Sequence, residues 1–293
     1  MIAAVKSRPR KRLVVAYAED AHTLEAVNAA VQMGIVDATL VGNRAEIARQ
    51  CMALEIDPHT FKIAEEDGDV ACVNKAVRMV KDGEGDILMK GLVSTDKYMR
   101  GILNKEFGLL PPKGILSHLT VFELPNYPKL LLVSDVAVIP YPDLSQKVAL
   151  VRYLAQTARA LGIEKPKIGV IAPSEQLLPG LQSSVDAAVL AKMADRGQFG
   201  DVILDGPLAL DVALYAEVAQ IKHLNSPVAG DVDCLLFPNL DAGNVFFKAA
   251  NQICQAPLAA MVVGAKAPCV LTSRGDTPES KLYSIALAAL TAR

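Results

Sequence analysis

The sequence predicts an α/β fold with two domains, each built on a mainly parallel sheet flanked by helices. Short apolar runs alternate with helical patterns over almost all of the 293 residues. Such alternation is typical of parallel sheets whose connecting helices cover both faces. Hydrophobic residues make up 52% of the chain but aromatic residues only 5%, so the predicted cores are large and aliphatic.

In the first half of the chain, local signals mark where several elements begin. Thr23 is a candidate N-cap for the first helix, and Asn43 with Glu46 resembles a capping box. The last two strands of this half are joined by a link too short for a parallel crossover, so they are predicted to pair antiparallel. The predicted strands are 13–17, 38–41, 61–64, 86–89, 115–124 and 130–139, and the predicted helices are 23–33, 43–54, 70–80 and 95–103.

A second alternating series follows the Pro140-Tyr141-Pro142 segment, which indicates a boundary between two halves. Cys269, Val270 and Leu271 form a last apolar run before the final helix, which starts near Leu282. The predicted helices of this series are 146–161, 185–193, 208–219 and 242–252, and the predicted strands are 167–171, 202–204, 234–237 and 258–263.

Composition and motifs exclude several classes of function. The net charge of −2 gives no reason to expect nucleic acid, and no apolar stretch is long enough to span a membrane. The one basic cluster, at residues 6–12, is interpreted as a solvated leader before the first strand, with a phosphate or membrane contact as the alternative. Five scattered cysteines indicate reduced thiols in a cytoplasmic protein, and the four histidines have no metal-ligand spacing, so no metal site is predicted. Dinucleotide, phosphate-loop and nucleophile-elbow motifs are absent.

Polar clusters follow many of the predicted strands. Because the carboxyl ends of parallel strands share an edge, such clusters can converge on one cleft, although each one taken singly is an ordinary turn. The clusters are Lys90-Gly91, Ser134-Asp135, Pro173-Ser174-Glu175, Asp205-Gly206-Pro207, Pro238-Asn239 and Ser273-Arg274-Gly275-Asp276.

These clusters contain the components of an inorganic phosphate site. Lys90, Arg100 and Arg274 are cations near predicted ligand edges, while Ser94 and Thr95 lie at a helix start. Helix N-termini favour anions, and an arginine can bind two phosphate oxygens at once. Two alternatives without a role in binding stay open. Ser94 can be a plain N-cap, and Arg100 can lie on a solvated face of its helix.

Asp276 has more than one interpretation from its spacing alone. It can be the N-cap of the last helix with Glu279 as its capping-box partner, or Thr277 can be the cap with Pro278 at the first helical position. It can also be a general base, or a group that orients Arg274.

The chain resembles the phosphate acetyltransferase/phosphate butyryltransferase family, most closely the butyryltransferase branch. The segments that carry this resemblance follow one another over nearly the whole chain. They are 89–95 with Arg100, 103–106, Ser117-His118, 205–211, Pro238-Asn239 with Gly243-Asn244, 271–274 and 284–288.

The resemblance implies transfer of a short-chain acyl group, butyryl or acetyl, between coenzyme A and inorganic phosphate, with no separate cofactor. It implies a fold like that of isocitrate and isopropylmalate dehydrogenases, with domains at 1–142 plus 264–293 and at 143–263. In that fold the last strand and helix return to the first domain and the active site lies between domains. A homodimer or higher homo-oligomer is also implied.

The family resemblance assigns a catalytic role to Ser273 and Arg274, which match the family's Ser-Arg pair at the thioester and phosphate. The family's catalytic aspartate is replaced here by Ser280, which leaves Asp276 and Glu279 as the nearest carboxylates, with Asp276 assigned the catalytic role. The alternative is that no strong base is needed, because phosphate is already an anionic nucleophile. The remaining matched residues are assigned to substrate binding: Lys90, Ser94, Thr95, Arg100, Ser117, Asn239 and Asn244.

The predicted mechanism is direct transfer in a ternary complex, without a covalent acyl-enzyme. Two alternatives stand beside it. One is a non-catalytic acyl-CoA-binding subunit, which the Ser280 departure keeps open. The other is an NAD-dependent decarboxylating dehydrogenase of the same fold, for which Asp231 and Asp233 are the candidate metal ligands, although their context is that of a strand entry.

Overall fold

The computed structural model describes residues 1–272 and 276–292, and the chain divides into two compact units. The first unit comprises Met1–Leu116 and Ala259–Arg293, and the second comprises Ser117–Leu258. The predicted boundaries after residues 142 and 263 differ from this division. Residues 117–142 group with the second unit because Leu131–Ser134 pairs in parallel with Cys234–Leu236.

Residues 1–116 of the first unit alternate four parallel strands with five α-helices. The strands are β1 (Lys11–Ala16), β2 (Val36–Gly42), β3 (Lys62–Glu65) and β4 (Ile87–Lys90). The helices are α1 (Ile2–Lys6), α2 (Ala21–Gln32), α3 (Arg44–Ala53), α4 (Asp69–Lys81) and α5 (Thr95–Ile102). β2 and β4 flank β1, and β3 pairs with the outer side of β2.

The second unit carries five strands and five α-helices. The strands are β5 (Ser117–Phe122), β6 (Leu131–Ser134), β7 (Lys167–Ile171), β8 (Ile203–Leu208) and β9 (Cys234–Leu236). The helices are α6 (Leu144–Ala160), α7 (Gln182–Asp195), α8 (Leu210–Leu214), α9 (Ala216–Ile221) and α10 (Leu240–Lys248). The strand order is β5-β6-β9-β7-β8, and only β5 runs antiparallel to its neighbour β6, as its short link predicts.

The C-terminal segment returns to the first unit. It contributes β10 (Leu258–Val263), β11 (Cys269–Val270) and α11 (Pro278–Thr291). β11 pairs in parallel with β4 and antiparallel with β10. The predicted α/β class, with mostly parallel strands flanked by helices, is therefore confirmed.

Apolar packing against the strands holds the first unit together. Leu13, Val14 and Val15 of β1 are fully buried, because helices cover both faces of this central strand. α4 places Cys72, Val73, Ala76, Val77 and Val80 on one face at helical spacing, and all five are buried. Burying each leucine or valine side chain among these stabilises the fold by about 1.5–3 kcal/mol.

The N-terminal basic cluster is solvated, as interpreted, since Lys6, Arg8, Arg10 and Arg12 are exposed, but the segment also has a helix and partners of its own. Residues 2–6 form α1, whose Val5 is buried. The guanidinium of Arg8 donates to the carbonyl oxygen of Leu290 at 2.8 Å, and Arg12 forms an ion pair with Asp86. A helix and specific partners therefore tie this segment to the first unit.

Two helix starts differ from the predicted caps. Asp20, not Thr23, is the N-cap of α2, since its carboxylate accepts from the backbone N–H of Thr23 at 2.9 Å. Asn43 does cap α3, but its own N–H donates to Glu19 rather than to Glu46. A carboxylate distant in sequence thus replaces the local half of the capping box.

The helix predicted at 208–219 was also placed wrongly. Strand β8 continues to Leu208, and the helical stretch is broken into α8 and α9 at Tyr215. The Asp205-Gly206-Pro207 cluster consequently lies inside β8 instead of following it. Pairing with β7 extends the strand through these turn-forming residues.

Candidate functional site

The carboxyl edge of the parallel strands is the natural ligand edge of the first unit. β1 lies between β2 and β4, although the chain reaches β4 only after β3. The strand order therefore reverses direction between β1 and β4. Open α/β sheets bind ligands at such a switch point, outside the carboxyl ends of the strands.

At this switch point the backbones of β1 and β4 approach each other closely. Gly91 and Leu92 donate their N–H groups to the carbonyl oxygens of Ala16 and Tyr17, both at 2.9 Å. A Cβ atom on Gly91 would lie only 2.3 Å from the carbonyl oxygen of Tyr17, so glycine is required here. Tyr17 itself has a φ of 60°, a left-handed conformation that is uncommon for an aromatic residue and is concentrated at functional sites.

Lys90, predicted to bind substrate, is the last residue of β4 and is buried, with 3% of its surface exposed. Its ammonium donates to the carbonyl oxygens of Gly91 at 3.1 Å and Val93 at 2.9 Å. These contacts hold the turn between β4 and α5. They also place a fixed positive charge beneath the ligand edge, where a low dielectric strengthens its field.

Ser94 and Thr95 open the helix that follows Lys90, as predicted. Ser94 is the N-cap of α5 and accepts from the N–H of Lys97 at 3.4 Å, while Thr95 is the first helical residue and is exposed. The plain-cap interpretation of Ser94 is therefore correct at the level of local structure. The cap also leaves the first N–H groups of α5 facing the edge where an anion would be stabilised.

Arg100 lies on a solvated face of α5. Its guanidinium pairs with Asp96 one turn earlier at 3.0 Å, and 77% of the Arg100 side chain is exposed. In this structure Arg100 therefore lies on a solvated helix face, which is the alternative given for it above. An exposed pair of this kind is weak, so the arginine can exchange Asp96 for another anion.

Ser273 and Arg274, the predicted catalytic pair, lie outside the described residues, while Asp276 immediately precedes Thr277 at the start of α11. Thr277 is the N-cap of α11, accepting from the N–H of Ser280 at 3.2 Å, and Pro278 is the first helical residue. Of the alternatives for Asp276, its interpretation as the cap is therefore wrong. The alternatives that give its carboxylate an electrostatic or proton-transfer role stay predictions.

A buried lysine that sequence reasoning missed lies on α11 and contacts the residue that follows β11. Lys281 is 3% exposed, and its Nζ donates to the hydroxyl of Thr272, also buried, at 3.2 Å. Burial lowers the pKa of Lys281, and the carboxylates of Asp20 and Asp276 oppose that shift. The sequence does contain one indication of this burial. Lys281 lies three and four residues before Ser284 and Ile285, a helical spacing that places the lysine on the buried face of α11.

In the second unit, Ser117 is part of a buried polar cluster at the carboxyl end of β6. Its hydroxyl lies 2.9 Å from that of Ser134 and donates to Asp135 at 3.0 Å. Asp135 is 2% exposed and also accepts from the backbone N–H groups of 137, 138 and 139. Ser117 thus helps to fix the turn after β6, and the peptide bond between Ser134 and Asp135 is cis.

Asn239 and Asn244 lie at the same edge of the second unit, after β9. Asn239 is the N-cap of α10 and accepts from the N–H of Ala242 at 3.0 Å. The side-chain amide of Asn244 donates to the carbonyl oxygen of Val136 at 3.0 Å. A Cβ atom on Gly243 would lie 2.1 Å from the carbonyl oxygen of Asp135, so the helix and the turn are in close contact.

The predicted site residues therefore form two groups, one in each unit. Lys90, Ser94, Thr95, Arg100 and Asp276 belong to the first unit, at the edge of β4 and β11 or on the helices that follow these strands. Ser117, Asn239 and Asn244 belong to the second unit. Ser117 contacts Asp135 and Asn244 contacts Val136, while Asn239 caps the helix that carries Asn244. In the second unit, the strand-end clusters at 134–135 and 238–239 are neighbours, since the N–H of Phe237 donates to the carbonyl oxygen of Ser134 at 2.8 Å. Convergence of all the clusters on one cleft stays a prediction.

The two aspartates considered as metal ligands are occupied by lysines. Lys129 pairs with both Asp231 and Asp233 at 2.7 Å, and Lys167 also pairs with Asp231. These lysines lower the pKa of Asp231 by donating to it and by their charge. In residues 1–272 and 276–292, no group of three or more histidine, cysteine, aspartate or glutamate side chains could hold a metal ion.

Four of the cysteine thiols are in surroundings that suppress their reactivity as nucleophiles. Cys51, Cys72, Cys234 and Cys269 are buried, and burial raises the pKa of each thiol, to about 12 for Cys72 and Cys269. Cys254 is exposed. A thiolate is the reactive form of cysteine, and burial in apolar surroundings suppresses it.

The arrangement in the first unit suits an oxyanion better than a cation. The buried ammonium of Lys90 and the N-terminal turn of α5 lie at one edge, which also carries the end of β11. The exposed Arg100 lies in the last turn of the same helix. Such groups can bind phosphate and stabilise an oxyanion that develops during acyl transfer.

The chain is similar to acyltransferases over its full length. It matches the family model described as Phosphate acetyl/butaryl transferase over residues 1–75 and 70–289. It is 43% identical over 292 residues to the phosphate butyryltransferase of Clostridium acetobutylicum, a match that covers 100% of this chain and 97% of that protein. With the phosphate acetyltransferase of Thermotoga maritima the identity is 37% over 286 residues, covering 96% of this chain and 95% of that protein.

A solved structure has the same fold. The branched-chain phosphotransacylase of Enterococcus faecalis superposes with a TM-score of 0.84 at 28% identity, covering 96% of this chain and 98% of that one. Together with the sequence matches, this similarity confirms the family resemblance predicted from the sequence. Searched over its described helices, the chain contains none with the length and hydropathy to cross a membrane.

Proposed function

Because the chain belongs to the phosphate acetyl/butaryl transferase family, we propose that it is an enzyme that moves a short-chain acyl group between coenzyme A and inorganic phosphate. In one direction, acyl-CoA and phosphate give acyl phosphate and CoA. The observation that carries the proposal is the buried Lys90 at the switch point, next to the N-terminus of α5. This arrangement stabilises an anion, and both phosphate and the reaction's intermediate are anions.

The reaction proceeds by direct transfer in a ternary complex. Arg100, Arg274 and the first turn of α5, with Ser94 and Thr95, hold phosphate close to the thioester carbonyl. A phosphate oxygen attacks the carbonyl carbon and forms the new C–O bond. The C–S bond of the tetrahedral intermediate then breaks, and its electron pair leaves on the sulfur of CoA.

The remaining groups act on charge and on protons. Lys90, Ser273 or backbone N–H groups stabilise the oxyanion of the tetrahedral intermediate. Asp276 orients Arg274 or exchanges a proton with the CoA thiol, since Ser280 cannot be a base at neutral pH. Ser117, Asn239 and Asn244 of the second unit bind the substrate, supported by their placement at a strand edge.

The acyl group is butyryl or acetyl. Relatives named phosphate butyryltransferase and phosphate acetyltransferase support this range, with the higher identity to the butyryltransferase. An acyl pocket distinguishes neighbouring chain lengths by only about 1–3 kcal/mol per methylene, so a preference is expected rather than strict selection.

Further parts of the proposal rest on family resemblance and composition. They are a fold of the isocitrate and isopropylmalate dehydrogenase kind, a homodimer or higher homo-oligomer, and a reaction that needs no cofactor beyond its substrates. The scattered free cysteines support a cytoplasmic location. A non-catalytic acyl-CoA-binding subunit is the alternative that the experiment below addresses.

The test is phosphate-dependent release of the CoA thiol, measured with acetyl-, propionyl-, butyryl- and isobutyryl-CoA. We expect release with at least one of them, at a rate that saturates with phosphate, and a matching yield of acyl phosphate. Reactions without phosphate control for simple thioester hydrolysis. Binding of acyl-CoA without phosphate-dependent release would reject the enzyme and support the binding subunit.

A further inference from the structure

The turn at residues 135–139, which follows β6, is folded around the side chain of Asp135. Its Oδ1 accepts from two backbone N–H groups of the turn, at 2.7 and 2.9 Å. Its Oδ2 accepts from a third N–H of the turn at 3.1 Å and from the hydroxyl of Ser117 at 3.0 Å. A buried carboxylate is costly unless donors compensate it, so these hydrogen bonds hold the backbone of the turn in one conformation.

Helix α10 packs directly on this turn. The side-chain amide of Asn244 donates to the carbonyl oxygen of Val136 at 3.0 Å. One residue earlier, a Cβ atom on Gly243 would lie 2.1 Å from the carbonyl oxygen of Asp135, so no side chain separates the helix from the turn here. The position of Asn244 therefore depends on the conformation that Asp135 gives to the turn.

The contact with Val136 also determines which way the Asn244 amide faces. A carbonyl oxygen can only accept, so the nitrogen of Asn244 must point toward it. In the part of the chain that the structure describes, the side-chain oxygen of Asn244 and its second N–H have no hydrogen-bond partner, and the residue is partly exposed. Asn244 thus offers a ligand one acceptor and one donor.

The charges around Asn244 favour a neutral ligand group over phosphate. Ser117, His118 and Asn244 are the described residues from outside the turn that hydrogen-bond it, and none of them is a lysine or an arginine. A phosphate dianion would meet the buried carboxylate of Asp135 without a cation to compensate it. A secondary amide has one donor and one acceptor, which match the two free groups of Asn244. CoA carries amides of this kind in its pantetheine arm, which joins the thiol to the nucleotide.

We propose that Asn244 binds an amide of the pantetheine arm of CoA, and that Asp135 is its positioning residue, acting through the turn. The inference rests on the proposed function and deepens it, since it assigns one part of one substrate to a residue of the second unit. Asp135 itself touches no substrate. A side chain that is held in place before the ligand arrives loses less conformational entropy on binding, which is the advantage of a rigid turn beneath Asn244.

The first test is Asn244→Ala, assayed with butyryl-CoA and with S-butyrylpantetheine, which lacks the nucleotide. We expect kcat/KM to fall about tenfold for butyryl-CoA, as for loss of hydrogen bonds to a neutral group. The factor should be the same, within about threefold, for S-butyrylpantetheine, and the KM for phosphate should change by less than about threefold. Asn225→Ala, at an exposed position of the same unit, is the matched control and should retain the wild-type rate.

Two outcomes of this first test would overturn the assignment of Asn244. A loss seen with butyryl-CoA but absent with S-butyrylpantetheine would place the contact on the nucleotide. A loss confined to the KM for phosphate would place it on the other substrate.

The second test asks whether Asp135 acts through Asn244. Asp135→Asn places an amide against the N–H donors of the turn, so the KM for butyryl-CoA should rise while that for phosphate changes by less than about threefold. In the Asn244→Ala background, the same change should lower kcat/KM by less than about threefold further, because coupled residues are not additive. Losses that multiply fully would show that Asp135 is only structural.

Gly243→Ala keeps the positioning role testable even if Asp135→Asn does not fold. Its new Cβ would meet the carbonyl oxygen of Asp135, so α10 must move away from the turn while the carboxylate stays intact. We expect the same rise in the KM for butyryl-CoA and the same lack of additivity with Asn244→Ala. A wild-type KM in a folded Gly243→Ala would overturn the positioning by the turn.

Binding of CoA alone separates this inference from the proposed function. Isothermal titration calorimetry should show that Asn244→Ala binds CoA about tenfold more weakly than the wild type. If the wild type bound CoA but released none from any thioester, the proposed function would fall, while this difference in affinity would still support the contact. Equal affinities, or a wild type that does not bind CoA, would overturn the inference.

Discussion

Two basic side chains ten residues apart show how environment decides what a residue can do. The Lys90 ammonium is buried and held by two carbonyl oxygens, whereas the Arg100 guanidinium is exposed and pairs with Asp96. The buried ammonium is screened little by solvent or salt, and its two carbonyl contacts fix its position. The exposed arginine must leave Asp96 before it can bind phosphate, so it is suited to substrate capture rather than to permanent stabilisation.

Arg274 is the residue whose loss we expect to affect catalysis most. Arg274→Ala should lower kcat/KM by about 100-fold or more, the usual size for removing one key electrostatic group from a preorganised site. Steady-state kinetics with butyryl-CoA and phosphate measure it, with thermal unfolding as a check of folding. A rate near that of the wild type would reject the assignment of Arg274.

Asp276 is the candidate for the role of the family's catalytic aspartate, because Ser280 occupies that aspartate's place in this chain. Since Thr277 caps α11, Asp276→Asn should leave the stability of the helix unchanged. We expect a loss of about 10- to 100-fold in kcat/KM, the effect of removing a group that orients a catalytic side chain. Glu279→Gln is the matched control, as Glu279 is exposed and accepts from Tyr283; equal losses in both variants would contradict a specific role for Asp276.

At the scale of elements, the close approach of β1 and β4 forms the floor of the candidate site. The hydroxyl of Tyr98 on α5 donates to the carbonyl oxygens of Leu88 at 3.3 Å and Val270 at 3.1 Å. This buried contact fixes α5 against both β4 and β11 and so positions the helix N-terminus near the strand ends. Burial raises the pKa of Tyr98, which therefore stays protonated as the donor.

The junction between these strands tolerates no side chain on Gly91. In Gly91→Ala the new Cβ would meet the carbonyl oxygen of Tyr17 at 2.3 Å, so the strands must move apart. We expect a loss of at least about 2 kcal/mol in the free energy of unfolding, within the range for overpacking. Gly180→Ala, where a Cβ would meet open space, is the control; equal stability of the two variants would contradict the packing argument.

Acid should weaken the connection between the amino ends of the same two strands. Arg12 of β1 donates to both carboxylate oxygens of Asp86, which immediately precedes β4, at 2.6 and 3.1 Å. These hydrogen bonds hold the pKa of Asp86 below its ordinary value. A carboxylate with a lowered pKa stabilises the folded state above the unfolded pKa of about 3.9, and this contribution is lost as the pH falls through the folded value.

The stability difference between the wild type and Asp86→Asn should therefore be constant from pH 7 to about pH 5 and shrink in stronger acid. Denaturant unfolding at a series of pH values measures it. A difference that grows as the pH falls would show that Asp86 is not held in its charged form by Arg12. Surface exposure of Arg12 makes the effect sensitive to salt, so the ionic strength must be the same throughout.

At the scale of the whole molecule, the mechanism determines the kinetic pattern. Direct transfer requires acyl-CoA and phosphate to be bound together, so initial-rate plots against one substrate at fixed levels of the other should intersect. Parallel lines would indicate a covalent acyl-enzyme and ping-pong kinetics. Four of the five cysteines are buried with raised pKa, which agrees with the absence of such an intermediate from the proposed mechanism.

Much of the architecture was predictable because it depends on local order in the chain. Alternating apolar runs and helical patterns indicated the α/β class, and the short link before residue 130 indicated the antiparallel pair β5 and β6. Errors arose where distant groups replaced local ones. Glu19 took the half of the α3 capping box expected of Glu46, and pairing with β7 carried β8 to Leu208.

By itself, the sequence determined the fold class, the family and the candidate residues of the strand ends, since strand–helix alternation and motif order are properties of the chain. Only the tertiary structure decided which of those residues are buried, which are paired and which unit holds them. In the sequence, Lys90 and Arg100 are simply two basic residues near predicted strand or helix ends. Little in the sequence distinguished Lys281 from other helical lysines. Burial, dielectric and the direction of a side chain depend on strands and helices far apart in sequence, so they arise only when the sheet is assembled.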